Sequence, residues 1–83
     1  MMKSMMSVKT MIDLYVEYEL GEDTWDMLWN MSFHGLISRD NWHEFFEIAK
    51  GWSFDDTKEM NVIDEDGKVI FARDDQGRLV KVA

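Results

Sequence analysis

The sequence predicts an α+β fold: three α-helices at about residues 7–20, 24–34 and 39–50, packed on a C-terminal three-stranded antiparallel meander at about 60–64, 68–73 and 78–82. Three observations lead there. Apolar residues recur at helical spacing as far as Gly51, those after Thr57 are mostly β-branched, and Gly67 and Gly77 break the second stretch at ten-residue spacing.

In the first helix Val8, Met11, Ile12, Tyr15 and Tyr18 fall on one side and Lys9, Asp13 and Glu17 on the other, and Gly21 stands where a helix stops. For the second, Asp23 or Thr24 can cap the first turn through a side-chain oxygen. Trp25, Leu28, Trp29, Ser32 and Phe33 then lie along one packing stripe before Gly35. The third has Trp42, Phe45, Phe46 and Ala49 at i, i+3, i+4, i+7, with His43, Glu44, Glu47 and Lys50 facing away. Ser38 or Asp40 starts it and Gly51 ends it. Trp52 and Phe54 belong to a connecting segment expected to fold back on the core.

Asp66-Gly67 and Gln76-Gly77 read as two-residue hairpin loops, in which glycine supplies a positive φ. Counting outward sets Glu65 opposite Lys68, Asp75 opposite Arg78, Val62 beside Phe71 and Phe71 beside Val82. One face then gathers Met60, Val62, Val69, Phe71, Val80 and Val82, and a longer loop would shift that pairing.

Proline is absent and no stretch has linker composition, so residues 1–83 are expected to form one domain, with residues 1–6, rich in methionine, frayed. Cysteine is also absent, which removes disulfides and thiolate zinc sites and leaves stability to the core. No apolar run reaches the roughly 18 residues of a membrane span, and no signal peptide is recognisable, so a cytoplasmic location is expected. The formal net charge is −8, from 17 acids against 9 bases. Asp13, Glu17, Glu19, Glu22, Asp23 and Asp26 lie between Lys9 and Arg39 with no lysine or arginine among them. Such a surface repels phosphate backbones and anionic membranes and attracts basic partners.

The motifs favour no chemistry. A calcium loop of the EF-hand type needs acids at its first and last positions; with Gly67 at the sixth these are Val62 and Arg73, and with Gly77 they are Ala72 and Ala83. His43 to Glu47, HEFFE, has the first histidine and the glutamate of the zinc-binding HExxH but not the second histidine. No serine stands in G-x-S-x-G, and no phosphate-cradling glycine pattern occurs. A helix-turn-helix drawn through residues 27–50 would expose His43, Glu44 and Glu47 where phosphate contacts need lysine and arginine.

The expected function is therefore that of a small acidic, non-catalytic protein-interaction module without cofactor or metal. It would bind a basic protein surface through Glu17, Glu19, Glu22, Asp23 and Asp26, bordered by Trp25 or Trp29. Small size and strong acidity would also suit a regulator or inhibitor of phage or mobile-element type. Two alternatives stand beside it: a metal-dependent enzyme or enzyme subunit using His34, His43 and Glu47, and a domain that self-associates through Ile63, Ile70 and exposed strand edges.

Overall fold

The computed structural model describes residues 6–82. The fold is α+β: three helices, α1 (Val8–Glu17), α2 (Glu22–Phe33) and α3 (Arg39–Ala49), are followed by an antiparallel sheet of four strands, β1 (Ser53–Phe54), β2 (Val62–Ile63), β3 (Val69–Arg73) and β4 (Leu79–Lys81). The chain divides into two compact units at Lys50 and Gly51, one holding the helices and the other the sheet. Among the described residues no helix is long and apolar enough to cross a membrane.

Ser7 caps α1, its Oγ accepting from the Thr10 N–H at 3.1 Å, and so satisfies a donor that has no intrahelical partner. The helix ends at Glu17, earlier than the expected Leu20. Tyr18 is the C-cap, and Glu19 and Leu20 are left-handed, with φ of 58° and 55°. That turn lets the Leu20 N–H donate back to the Tyr15 carbonyl at 2.8 Å, closing the helix end without glycine. Gly21 is extended and serves instead as the N-cap of α2, so Asp23 and Thr24, expected as caps, lie inside the helix. Residues 1–5 of the terminus expected to fray lie outside the described residues. The carbonyl of Met6 accepts from Asn41 Nδ2 at 3.1 Å, which ties this residue to α3.

α2 closes as its sequence suggests: His34 is the C-cap, Gly35 takes φ 80°, and the Leu36 N–H returns to the Met31 carbonyl at 2.8 Å. Ser38 caps α3 through a 3.1 Å bond from the Asn41 N–H. The three helices share a core of Met11, Tyr15, Val16, Leu28, Ile37, Trp42, Phe45 and Ala49. Its centre is aromatic: the Trp25 ring lies 5.3 to 5.8 Å from those of Tyr15, Trp42, Phe45 and Phe46.

The sheet has one strand more than expected, because Ser53 and Phe54 pair with Ile63 and Val62 instead of forming a connection. Trp52 places its ring 5.4 Å from Phe71, and the Arg73 guanidinium lies over the Phe54 ring at 5.6 Å. Asp55 organises the link from β1 to β2, with Oδ1 accepting from the N–H groups of Thr57 and Asn61.

Both hairpins have three-residue loops where two-residue loops were expected. Asp64 and Lys68 close the first, with the Asp64 N–H donating to the Lys68 carbonyl at 3.0 Å; Asp74 and Arg78 close the second in the same way at 2.8 Å. In each loop the aspartate Oδ1 accepts from the backbone N–H groups two and four residues on, all at 2.9 Å. Gly67 and Gly77 hold the left-handed position, with φ of 82° and 78°. The expected pairs Glu65 with Lys68 and Asp75 with Arg78 are replaced accordingly.

The extra loop residue changes the register. In the first hairpin an irregularity between Val62 and Ile63 absorbs it, and Val62 still faces Phe71 as expected. No such correction occurs in the second, where Phe71 faces Lys81 instead of Val82. A slip of one residue turns a strand over, so Val80 and Val82 leave the face of Val62 and Phe71 and are 47% and 43% exposed. Met60, also expected on that face, precedes β2 with φ 53° and is exposed.

Candidate acidic and aromatic docking face

The acids and rings singled out in the sequence fall within the helical unit, around α2. Glu17 ends α1, Glu19 lies in the left-handed turn, Glu22 and Asp23 form the first turn of α2, and Asp26 lies one turn further on. All five are exposed. Acids in a helix's first turn are favoured by the partial positive charge of its unpaired N–H groups, which explains locally why Glu22 and Asp23 suit this position. Among the described residues, no ion pair or side-chain hydrogen bond engages Glu17, Glu22, Asp23 or Asp26. The described ion pairs, Lys9 with Asp13, Lys50 with Glu47 and Arg78 with Asp74, all lie elsewhere.

The two tryptophans proposed as a border have different surroundings. Trp25 is half-buried at the hub of the aromatic cluster and packs on rings from α1 and α3. Trp29 is 48% exposed, and its ring lies 5.5 Å from the buried Trp42 on one side and 6.5 Å from Phe33 on the other. Phe33 is 74% exposed. The expected packing stripe puts it with Leu28, but five residues at about 100° each set the two side chains roughly 140° apart around the helix.

The same arithmetic groups the surface residues. Glu22, Asp26, Trp29 and Phe33 follow i, i+4, i+7, i+11 and form one line along α2, acidic at its N-terminal end and aromatic at its C-terminal end. The spacing therefore carries the signal for Phe33, because the expected packing stripe of Trp25, Leu28, Trp29, Ser32 and Phe33 is wider than the face that the other helices cover. What this line offers is specific: two carboxylates without a described counter-charge, followed by two rings, of which the inner is braced by the core.

The residues considered for metal chemistry do not converge. His34 caps α2, His43 is exposed on α3, and Glu47 pairs with Lys50 at 3.1 Å, not with His43. Among the described residues no group of three or more histidines, aspartates or glutamates is arranged to hold a metal ion. Two of the hairpin acids, Asp64 and Asp74, are engaged by the backbone of their own loops. Ile63 and Ile70, considered for self-association, are half-buried in β2 and β3. No protein-family model matches the chain, and comparisons with curated proteins and with solved structures find no match.

Proposed function

We propose that this chain is a small non-catalytic interaction module that docks on a basic protein surface through the α2 face of Glu22, Asp26, Trp29 and Phe33, with Glu17, Glu19 and Asp23 extending its negative field. The observation that carries this reading is the exposure of Trp29 and Phe33 in line with two carboxylates that have no described ionic partner. A few anchor residues, among which tryptophan is enriched, carry most of the binding energy at protein interfaces, whereas surrounding charges mainly select the partner and accelerate encounter. The support lies in the pairing: a lone exposed ring is ordinary, but Trp29 and Phe33 lie next to each other, 6.5 Å apart, as one apolar patch beside the carboxylates.

The test compares capture from the source cell by the wild-type chain and by two double variants, Trp29→Ala/Phe33→Ala and Glu22→Gln/Asp26→Asn, at low and high salt. Wild-type chain should recover a basic protein that the aromatic variant fails to hold at either salt. The charge variant should hold it more weakly, and mainly at low salt. Equal recovery by all three chains would refute the reading.

A further inference from the structure

Resting on that reading, we infer that the segment recognised is an amphipathic helix that runs antiparallel to α2, apolar in its N-terminal half and carrying lysine or arginine in its last turns. The line from Glu22 to Phe33 covers eleven residue steps, roughly 16 Å at about 1.5 Å per residue, so it matches about three turns of a second helix.

Backbone chemistry favours a helix over an extended segment. α2 satisfies its own peptide groups and presents only side chains along this line, so a strand laid on Trp29 and Phe33 would lose water from its N–H and C=O groups without gaining partners. A helix brings its backbone bonds with it.

Charge fixes the direction. The basic residues of the partner must lie against Glu22 and Asp26, at the N-terminal end of α2, and its apolar residues against Trp29 and Phe33. In an antiparallel arrangement those bases occupy the partner's C-terminal turns, where the helix dipole favours cations. In a parallel arrangement they would occupy its N-terminal turn, where the dipole opposes them. The antiparallel arrangement also sets the two helix dipoles side by side and opposed, with each positive end beside the other's negative end.

The experiment uses the full chain and three fluorescent peptides, the first two of identical composition, each about sixteen residues long, or roughly 24 Å as a helix. One has leucines in its first half and lysines in its last turns, the second has the reverse order, and both are side-chain cross-linked to equal helicity. The third carries the first order, uncross-linked, with two prolines replacing residues inside its helix. Anisotropy titrations at low and physiological salt should show the first binding about tenfold more tightly than the proline-containing peptide and about threefold more tightly than the reversed one, the second difference being larger at low salt. That preference should shrink in Glu22→Gln/Asp26→Asn, and all binding should weaken in Trp29→Ala/Phe33→Ala. A nitroxide on the first peptide's N-terminus should broaden resonances near Phe33, not those near Glu22. If the reversed or proline-containing peptide binds as tightly and still needs Trp29 and Phe33, the helical inference falls while the docking face stands. If none of the three binds, both fall.

Discussion

Trp29 lies against Trp42 with ring centroids 5.5 Å apart, so a half-exposed indole on α2 rests on one that is only 6% exposed on α3. The contact fixes the orientation of the outer ring before any partner arrives, which lowers the ordering cost of binding. It also separates two roles that the aromatic content of the sequence leaves merged. Trp42→Ala should cost about 3–5 kcal/mol of stability, the usual range for removing a buried large aromatic, whereas Phe33→Ala should stay within about 0.5 kcal/mol. Urea unfolding followed by far-UV circular dichroism measures both.

The acidic half of the α2 face should act on the rate of encounter. Replacing Glu22 and Asp26 by glutamine and asparagine should slow association with a basic partner and flatten its dependence on salt, with a smaller change in dissociation. Stopped-flow measurements at several ionic strengths give both rate constants. The Trp29→Ala/Phe33→Ala variant should show the opposite division, with most of its loss in dissociation.

The hairpin loops make a prediction about backbone alone. Nothing lies within 4 Å of a Cβ built on Gly77, so a substitution there meets only the strain of φ 78°. Gly77→Ala should destabilise the chain by about 1–2 kcal/mol and Gly77→Asn by less, because asparagine tolerates the left-handed region. Equal losses in the two variants would mean that something other than φ decides. Met60, left-handed at φ 53° and exposed, offers the converse case, and Met60→Asn should raise stability by up to about 1 kcal/mol.

Asp74 links the second loop to pH. Its carboxyl is held below the usual aspartate range, first by the hydrogen bond from the Arg78 backbone N–H, which desolvation partly opposes, and further by the hydrogen bond from Gln76 and by the Arg78 charge. A group with a depressed folded-state value favours the folded chain above its unfolded value, near 3.9, and loses that contribution as pH falls through the folded value. Thermal unfolding from neutral pH to pH 3 should therefore show wild type and Asp74→Asn converging below about pH 4. A constant difference across the range would contradict this.

Much of the fold was legible because local signals agreed with one another. The apolar periodicity and Ser38 located α3, Gly35 marked the end of α2, and β-branched residues around Gly67 and Gly77 marked the hairpins. The misreadings have physical causes. Gly21 looked like a terminator, but α1 ends through left-handed Glu19 and Leu20, residues whose propensity gives no warning of that conformation. Asp66-Gly67 and Gln76-Gly77 suggest two-residue loops, yet Asp64 and Asp74, each two residues before its dipeptide, use their side chains to stabilise a longer one. β1 has only two residues and no periodicity to read. At the candidate site the acids were plain in the sequence, but choosing between Trp25 and Trp29 required knowing which ring the neighbouring helices cover. Phe33 is hidden in the sequence because its spacing from Trp25 and Trp29 also suits a wide packing stripe, whereas the helical core covers only the side of Leu28.

The most direct measurement places a photoreactive phenylalanine analogue at position 33, on the α2 face, and separately at position 43, an exposed site on α3. Irradiation in the source cell should link a basic protein to position 33 and not to position 43, and Glu22→Gln/Asp26→Asn should reduce that product. Cross-linking of the same protein through position 43 alone, or a product at position 33 that is indifferent to both carboxylates, would contradict docking through α2.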